Sequence, residues 1–138
     1  MSKIFAPAMI TMTLVSGATA AQREAAIVAR IKTLVADARV GLILEGPAGA
    51  DDLLSRSARD DERLMVQRIA AGCPCCSGNL TLRVTLDRSI RRRPAHIFLS
   101  LADDAHLEQL RRFLRTPPYD GHLLLTEDLP PVTLHSTQ

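Results

Sequence analysis

The sequence predicts an α/β domain, a mostly parallel sheet with flanking helices in a single unit. Three observations carry that prediction. Short apolar runs alternate along the chain with longer stretches whose apolar residues recur at helical spacing, the pattern of strands joined by helical crossovers. The run Val40 to Leu44 is apolar without a break, as a strand covered on both faces is. The 138 residues are 46% hydrophobic and 23% charged, a globular balance and not a disordered one, in a length that makes one domain.

The first element is a strand, Met9 to Val15, ending at Gly17. It opens a βα unit whose helix is expected from Ala21 to Ala38. Ala26, Ile27, Ile31, Leu34 and Val35 recur on one side, while Arg23, Glu24, Arg30 and Lys32 take the other. A second reading competes for the same residues. Lys3, the apolar stretch Ile4 to Val15 and Ala18-Thr19-Ala20 imitate a signal peptide with a small-residue cleavage site. Pro7, Thr11, Thr13 and Ser16 interrupt that stretch, and a single basic residue precedes it. The strand and a cytoplasmic protein are therefore the expectation. Export with cleavage near Ala20 is the alternative, and a mature N-terminus at Ala21 is its signature.

Val40 to Leu44 is the second strand. Residues 46–62 turn polar, with Gly46, Pro47, Gly49 and the acids Asp51, Asp52, Asp60, Asp61 and Glu62, and read as a solvated loop. Leu64, Val66 and Ile69 fit a strand or a short helix equally. A cysteine turn follows, Gly72-Cys73-Pro74-Cys75-Cys76-Ser77-Gly78. Asn79 suits the N-cap of a helix running to about Arg92, with Leu82, Leu86 and Ile90 inward and Pro94 as its stop. Ile97 to Leu101 reads as a strand, Asp103 to Arg115 as a helix and His122 to Leu125 as a last strand. Pro130-Pro131 closes the pattern, giving an ordered core of about residues 10–128 and a tail from 129 to 138.

Composition excludes several function classes. Seventeen basic residues against fifteen acidic ones leave +2, too small a bias to imply nucleic acid. Three Phe, one Tyr and no Trp give little to stack bases on, so the core is aliphatic. Arg83, Arg88, Arg91, Arg92 and Arg93 make one helix and its exit basic, which reads as a solvated face or a dock for an acidic partner. No apolar run reaches the length of a membrane span. Three cysteines within four positions are no disulfide framework, and no Ser-His-Asp or Cys-His pairing has a supporting motif.

Four segments stand out by their order. They are Ile10 to Ser16 followed by Gly17, Leu44-Glu45-Gly46 through Asp51-Asp52-Leu53-Leu54, Gly72-Cys73-Pro74-Cys75-Cys76, and Ile97 to Asp104. Together they resemble the nucleotide-binding domain of the CobW family of P-loop GTPases, proteins associated with zinc or cobalt delivery and cobalamin metabolism. The second segment is similar to the family's N-E-x-G-x-x-x-x-D switch, and the third matches its G-C-x-C-C signature. The resemblance covers about Ile10 to Asp128. It implies a P-loop NTPase-like fold, truncated here, with Gly17, Arg23 and Glu24 at the relic of the nucleotide site.

The departures from the family pattern bear on activity. A phosphate loop needs glycines that let backbone N–H groups approach phosphate, then Lys for the terminal phosphates and Ser or Thr for Mg²⁺. Here Ala20 and Gln22 stand for the inner glycines, Arg23 for the Lys and Glu24 for the hydroxyl. A carboxylate about 4 Å from a phosphate costs roughly 1–4 kcal/mol. Glu24, read as a residue of the helix start, is expected either to satisfy the N–H groups and dipole that phosphate would otherwise meet or to be a solvated first-turn acid. The family's E-T-S-G-L-x-D-P run is Ile97-Phe98-Leu99-Ser100-Leu101-Ala102-Asp103-Asp104, without its Glu and Gly, and no guanine-reading N/T-K-x-D motif follows. GTP hydrolysis and Mg²⁺–GTP binding are not expected.

Cys73, Cys75 and Cys76 carry the remaining chemistry. Thiolates are soft and select Zn²⁺ or another soft d-block ion. Three of them fill three corners of a tetrahedron at about 2.3 Å and leave one for water, a histidine or a partner's ligand. His96, His106, His122 and His135 are the histidines to test as that fourth ligand. Buried scaffold thiols, or a redox switch, are the competing readings. The leading expectation is a non-hydrolysing CobW-like domain that carries zinc or regulates a full-length CobW-type partner, with a homodimer also open to it. A GTPase with an altered loop and a purely structural interaction domain are the alternatives.

Overall fold

Buried on both faces, the central strands organise everything else. The computed structural model describes residues 9–46, 53–69, 79–102, 104–105 and 107–131. In chain order the elements are β1 (Ile10–Ser16), α1 (Ala20–Ile31), β2 (Val40–Glu45), α2 (Leu53–Asp60), β3 (Leu64–Ile69), α3 (Asn79–Arg91), β4 (His96–Leu101), α4 (Leu107–Leu114), a 3₁₀ turn (Tyr119–Gly121) and β5 (Leu123–Leu125). The sheet order is β3-β2-β4-β1-β5, and every pair is parallel. The domain is α/β, a five-stranded parallel sheet flanked by helices. Every residue of β2 and β4 is buried.

Handedness distributes the helices. The connections from β1 to β2 to β3 step one way along the sheet, and those from β3 to β4 to β5 step back. Right-handed crossovers then put α1 and α2 on one face and α3 and α4 on the other. The core divides accordingly. Val15, Ile27, Leu42, Leu54 and Phe98 pack together on the α1/α2 face. Met12, Leu14, Leu82, Leu86 and Leu110 pack together on the other.

Four sequence expectations change. Residues 53–60 are helical rather than part of a loop: Leu54 is fully buried and Ala58, one turn on, packs against the same cluster. Helix α1 ends at Ile31, not Ala38, because tight turns (Thr33 N to Arg30 O, Leu34 N to Ile31 O) replace its ladder. Val35, expected inside, is consequently 72% exposed. Helix α4 begins at Leu107, four residues after its expected start. Leu129, expected in the tail, is buried and donates its N–H to Leu14 O at 2.9 Å. The ambiguous stretch 64–69 is a strand, paired with β2 from Val40 opposite Leu64 to Glu45 opposite Ile69.

Strand β1 lies between β4 and β5, so cleavage after Ala20 would remove a strand from inside the sheet. Among the described residues no helix is long and apolar enough to cross a membrane.

Candidate functional site

In a parallel α/β sheet, ligands bind beyond the C-terminal ends of adjacent strands whose connections leave in opposite directions. Strands β1 and β4 are one such pair here, followed by α1 on one face and α4 on the other. The chain leaves β1 through Gly17 (φ 82°) and Ala18 (φ 58°), two successive left-handed residues. Gly17 adopts this region freely, whereas Ala18 bears a Cβ penalty of roughly 1–2 kcal/mol. Gly17 N donates to Leu101 O at 3.1 Å, tying the turn to β4. Thr19 then caps α1: its hydroxyl accepts from Gln22 N at 3.1 Å while Gln22 Oε1 accepts from Thr19 N at 3.0 Å. This reciprocal pair satisfies N–H groups at the helix start.

Arg23 folds back into that turn. Its Nε donates to Ser100 Oγ at 2.8 Å, and its Nη1 donates to Gly17 O and Ala18 O at 3.0 and 3.1 Å. The residue is 3% exposed. The turn therefore directs these two carbonyl oxygens at a cation, where a phosphate cradle directs N–H groups at an anion. Burial lowers the Arg23 pKa, opposed first by Glu45 and then by Glu24.

Strand register explains how these groups meet. Val15, Ser100, Leu44 and Arg68 are successive partners in one row across β1, β4, β2 and β3. Consecutive residues of α1 reach two points of that row. Arg23 bonds Ser100, and Glu24 Oε2 faces Arg68 Nη1 at 3.5 Å. At the end of β2, buried Glu45 accepts Ala102 N on Oε1 at 2.7 Å. Two guanidiniums and two carboxylates thus alternate at this end of the sheet.

The expectation that Glu24 occupies the helix start is corrected. Helix α1 begins at Ala20, has no acid in its first turn, and is capped by Thr19 and Gln22. Glu24 sits one turn deeper, buried against β3. The side chain that bonds the turn after β1 is the Arg23 guanidinium, on Gly17 O and Ala18 O.

No protein-family model matches the chain, and no curated protein or solved structure matches it.

Of the residues singled out from sequence, Gly17 and Arg23 are in direct contact and Glu24 is their neighbour on α1. Cys73, Cys75 and Cys76 lie outside the described residues, as do Asp51, Asp52, His106 and His135; their segment joins the end of β3 to the start of α3. His96 begins β4 and His122 immediately precedes β5. Both stand at the N-terminal end of the sheet, opposite Ile69. His96 is occupied there, with Nε2 2.7 Å from the Thr13 hydroxyl and its ring stacked on Phe98 at 4.3 Å. Among the described residues no three His, Cys, Asp or Glu side chains converge as a metal group.

Sequence reasoning did not single out Ser100 or Arg68. For Ser100 the signal was a polar residue near the end of the fully buried strand HIFLSL; Arg68 sits beside Gln67 in the half-buried edge strand LMVQRI, whose pattern carries no such signal. In a buried parallel strand such a residue needs an internal partner.

Proposed function

We propose that the chain is a CobW-like domain that binds a soft d-block metal, zinc foremost, through Cys73, Cys75 and Cys76, and that it does not hydrolyse GTP. The Arg23 guanidinium carries the reading. A triphosphate entering the turn after β1 would have to displace a buried cation from Ser100 Oγ, Gly17 O and Ala18 O. It would then meet inward carbonyl oxygens instead of N–H donors.

The metal half of the reading rests on the donor set. Three thiols within four residues suit Zn²⁺, and a site completed by three protein ligands keeps a corner open for exchange. His96 and His122 stand at the other end of the sheet, so the fourth ligand is another histidine, solvent or a partner's group. A carrier, or a regulator of a full-length CobW-type protein, uses such a corner. Loss of β1 on cleavage after Ala20 favours a cytoplasmic protein over an exported one.

Competition with a chromophoric zinc chelator tests the proposal. Wild type is expected to hold one zinc per chain, and the Cys73→Ser/Cys75→Ser/Cys76→Ser variant none. Equal zinc binding by the two would overturn the metal site. Saturable binding of a fluorescent GTP analogue with Mg²⁺, followed by phosphate release, would overturn the other half.

A further inference from the structure

The N-terminal end of the sheet holds a second candidate site, independent of the cysteines and of Arg23. A cavity of about 790 Å³ opens where Ile10 begins β1, Arg39 precedes β2 and Ala95 precedes β4. Small-molecule sites commonly have this size. Met9, Ile10, Ile90 and Pro94 make its floor apolar, and Met9 remains 41% exposed. Its rim is cationic, with Arg91, Arg93 and Arg39, whose Nη2 also donates to Met65 Sδ at 3.6 Å, against the carboxylate of Asp37. A second cavity of about 240 Å³ shares Ile90, Arg91 and His122 and continues to Tyr119 and to Asp87, whose carboxylate accepts the Tyr119 hydroxyl at 3.1 Å, so the two line one trough.

Arg93 is held there at a conformational cost. Its φ is 53°, in the left-handed region, just past the end of α3, with its N–H on Ile90 O at 2.9 Å. Glycine is the usual residue at such a helix exit, because a Cβ is disfavoured there. Strain of this kind is commonly retained where a side chain serves a ligand.

We propose that this trough binds a small anionic amphiphile, an alkyl or acyl chain ending in a phosphate. The headgroup meets the arginines, whose forked donors match phosphate oxygens, and the chain covers the apolar floor toward Tyr119. A bare polyanion would leave that floor wet, and a neutral chain would leave the guanidiniums unmatched.

Octyl phosphate, titrated below its micelle concentration into isotope-labelled protein, is the probe. Amide signals of Ala38, Arg39, Arg93, Ala95 and His122 are expected to shift saturably, with inorganic phosphate and octanol each at least about tenfold weaker. Arg93→Gly is expected to melt no lower than wild type, since glycine accepts the positive φ, yet to bind octyl phosphate about tenfold more weakly through loss of one charge-assisted contact. Arg91→Ser, at an exposed position, is expected to weaken binding similarly. Co-sedimentation with phosphatidic-acid vesicles assigns the ligand to a lipid surface; no co-sedimentation beside binding of octyl phosphate assigns it to a free molecule. The proposal fails if no saturable shift appears, if the shifts centre on residues 17–24, if both variants bind like wild type, or if a short single-stranded oligonucleotide binds these amides more tightly than octyl phosphate.

Discussion

Arg23 Nε donates to Ser100 Oγ across 2.8 Å, and that bond joins the first helix to the strand beside its own. The geometry depends on three independent features. The Gly17–Ala18 turn exposes its carbonyls, the register sets Ser100 beside Val15, and the Thr19 cap fixes which residue of α1 faces the turn. A one-residue change in any of them would direct a different side chain there. Burial of a guanidinium is costly unless its donors are matched and countercharge is near; Ser100, two carbonyls and the carboxylates Glu45 and Glu24 supply both.

The first prediction follows from that dependence. Arg23→Met removes the cation and leaves Glu24 and Glu45 with less countercharge, at an expected cost of about 3–5 kcal/mol. Ser100→Ala leaves Nε without its acceptor, at about 1–3 kcal/mol. In urea denaturation the double variant should lose less than the two singles added together. Strict additivity would show that the contact stores no coupling energy.

Glycines 17 and 121 separate conformation from space. A Cβ built at either position meets nothing within 4 Å, but only Gly17 has a positive φ. Gly17→Ala is therefore expected to destabilise by roughly 1–2 kcal/mol through backbone strain alone. Gly121→Ala should be neutral or gain about 0.4–1 kcal/mol from a stiffer unfolded chain. The thermal melt should fall for Gly17→Ala and stay level or rise for Gly121→Ala.

The pair Glu24–Arg68 is expected to behave unlike Asp61–Arg63. Side-chain exposures are 8% and 17% in the first pair, against 31% and 26% in the second. Glu24→Ala should cost about 1–3 kcal/mol by leaving a largely buried guanidinium short of an acceptor, and added salt should change that cost little. Asp61→Ala should cost less, with much of the loss vanishing in high salt. Denaturation at two ionic strengths compares them.

How far the sequence revealed this arrangement depends on the range of each interaction. Strands β2 and β4 were legible because burial on both faces leaves a nearly continuous apolar signature, and β1 was legible from an apolar stretch that its threonines interrupt and Gly17 ends. Helix α2 was not, since among its described side chains Leu54 and Ala58 alone touch the core and the surrounding polar residues imitate a loop. Glu24 was read one turn too early because Thr19, not a later residue, caps the helix. The contact between Arg23 and Ser100 spans 77 positions and depends on strand register, which local pattern does not encode. The thiol motif was legible as chemistry, and its segment falls outside the described residues.

The last prediction concerns acid. His96 is 7% exposed and its pKa is lowered to about 4, first by burial and then by Arg30. Its Nε2 lies 2.7 Å from Thr13 Oγ1, which is in turn 2.8 Å from Thr126 Oγ1. In the unfolded chain the ring takes up its proton near pH 6.5; in the folded chain it does so only near pH 4. Between those values the unfolded state binds more protons, so stability falls as pH drops from about 6.5 to about 4 and this contribution levels off below. The window of 2.5 units corresponds to a loss on the order of 3 kcal/mol. His96→Gln keeps a hydrogen-bonding group without that titration. Its stability should be nearly flat over the window in which wild type declines, as measured by urea midpoints at half-unit steps. Parallel declines in the two proteins would assign the acid sensitivity to carboxylates instead.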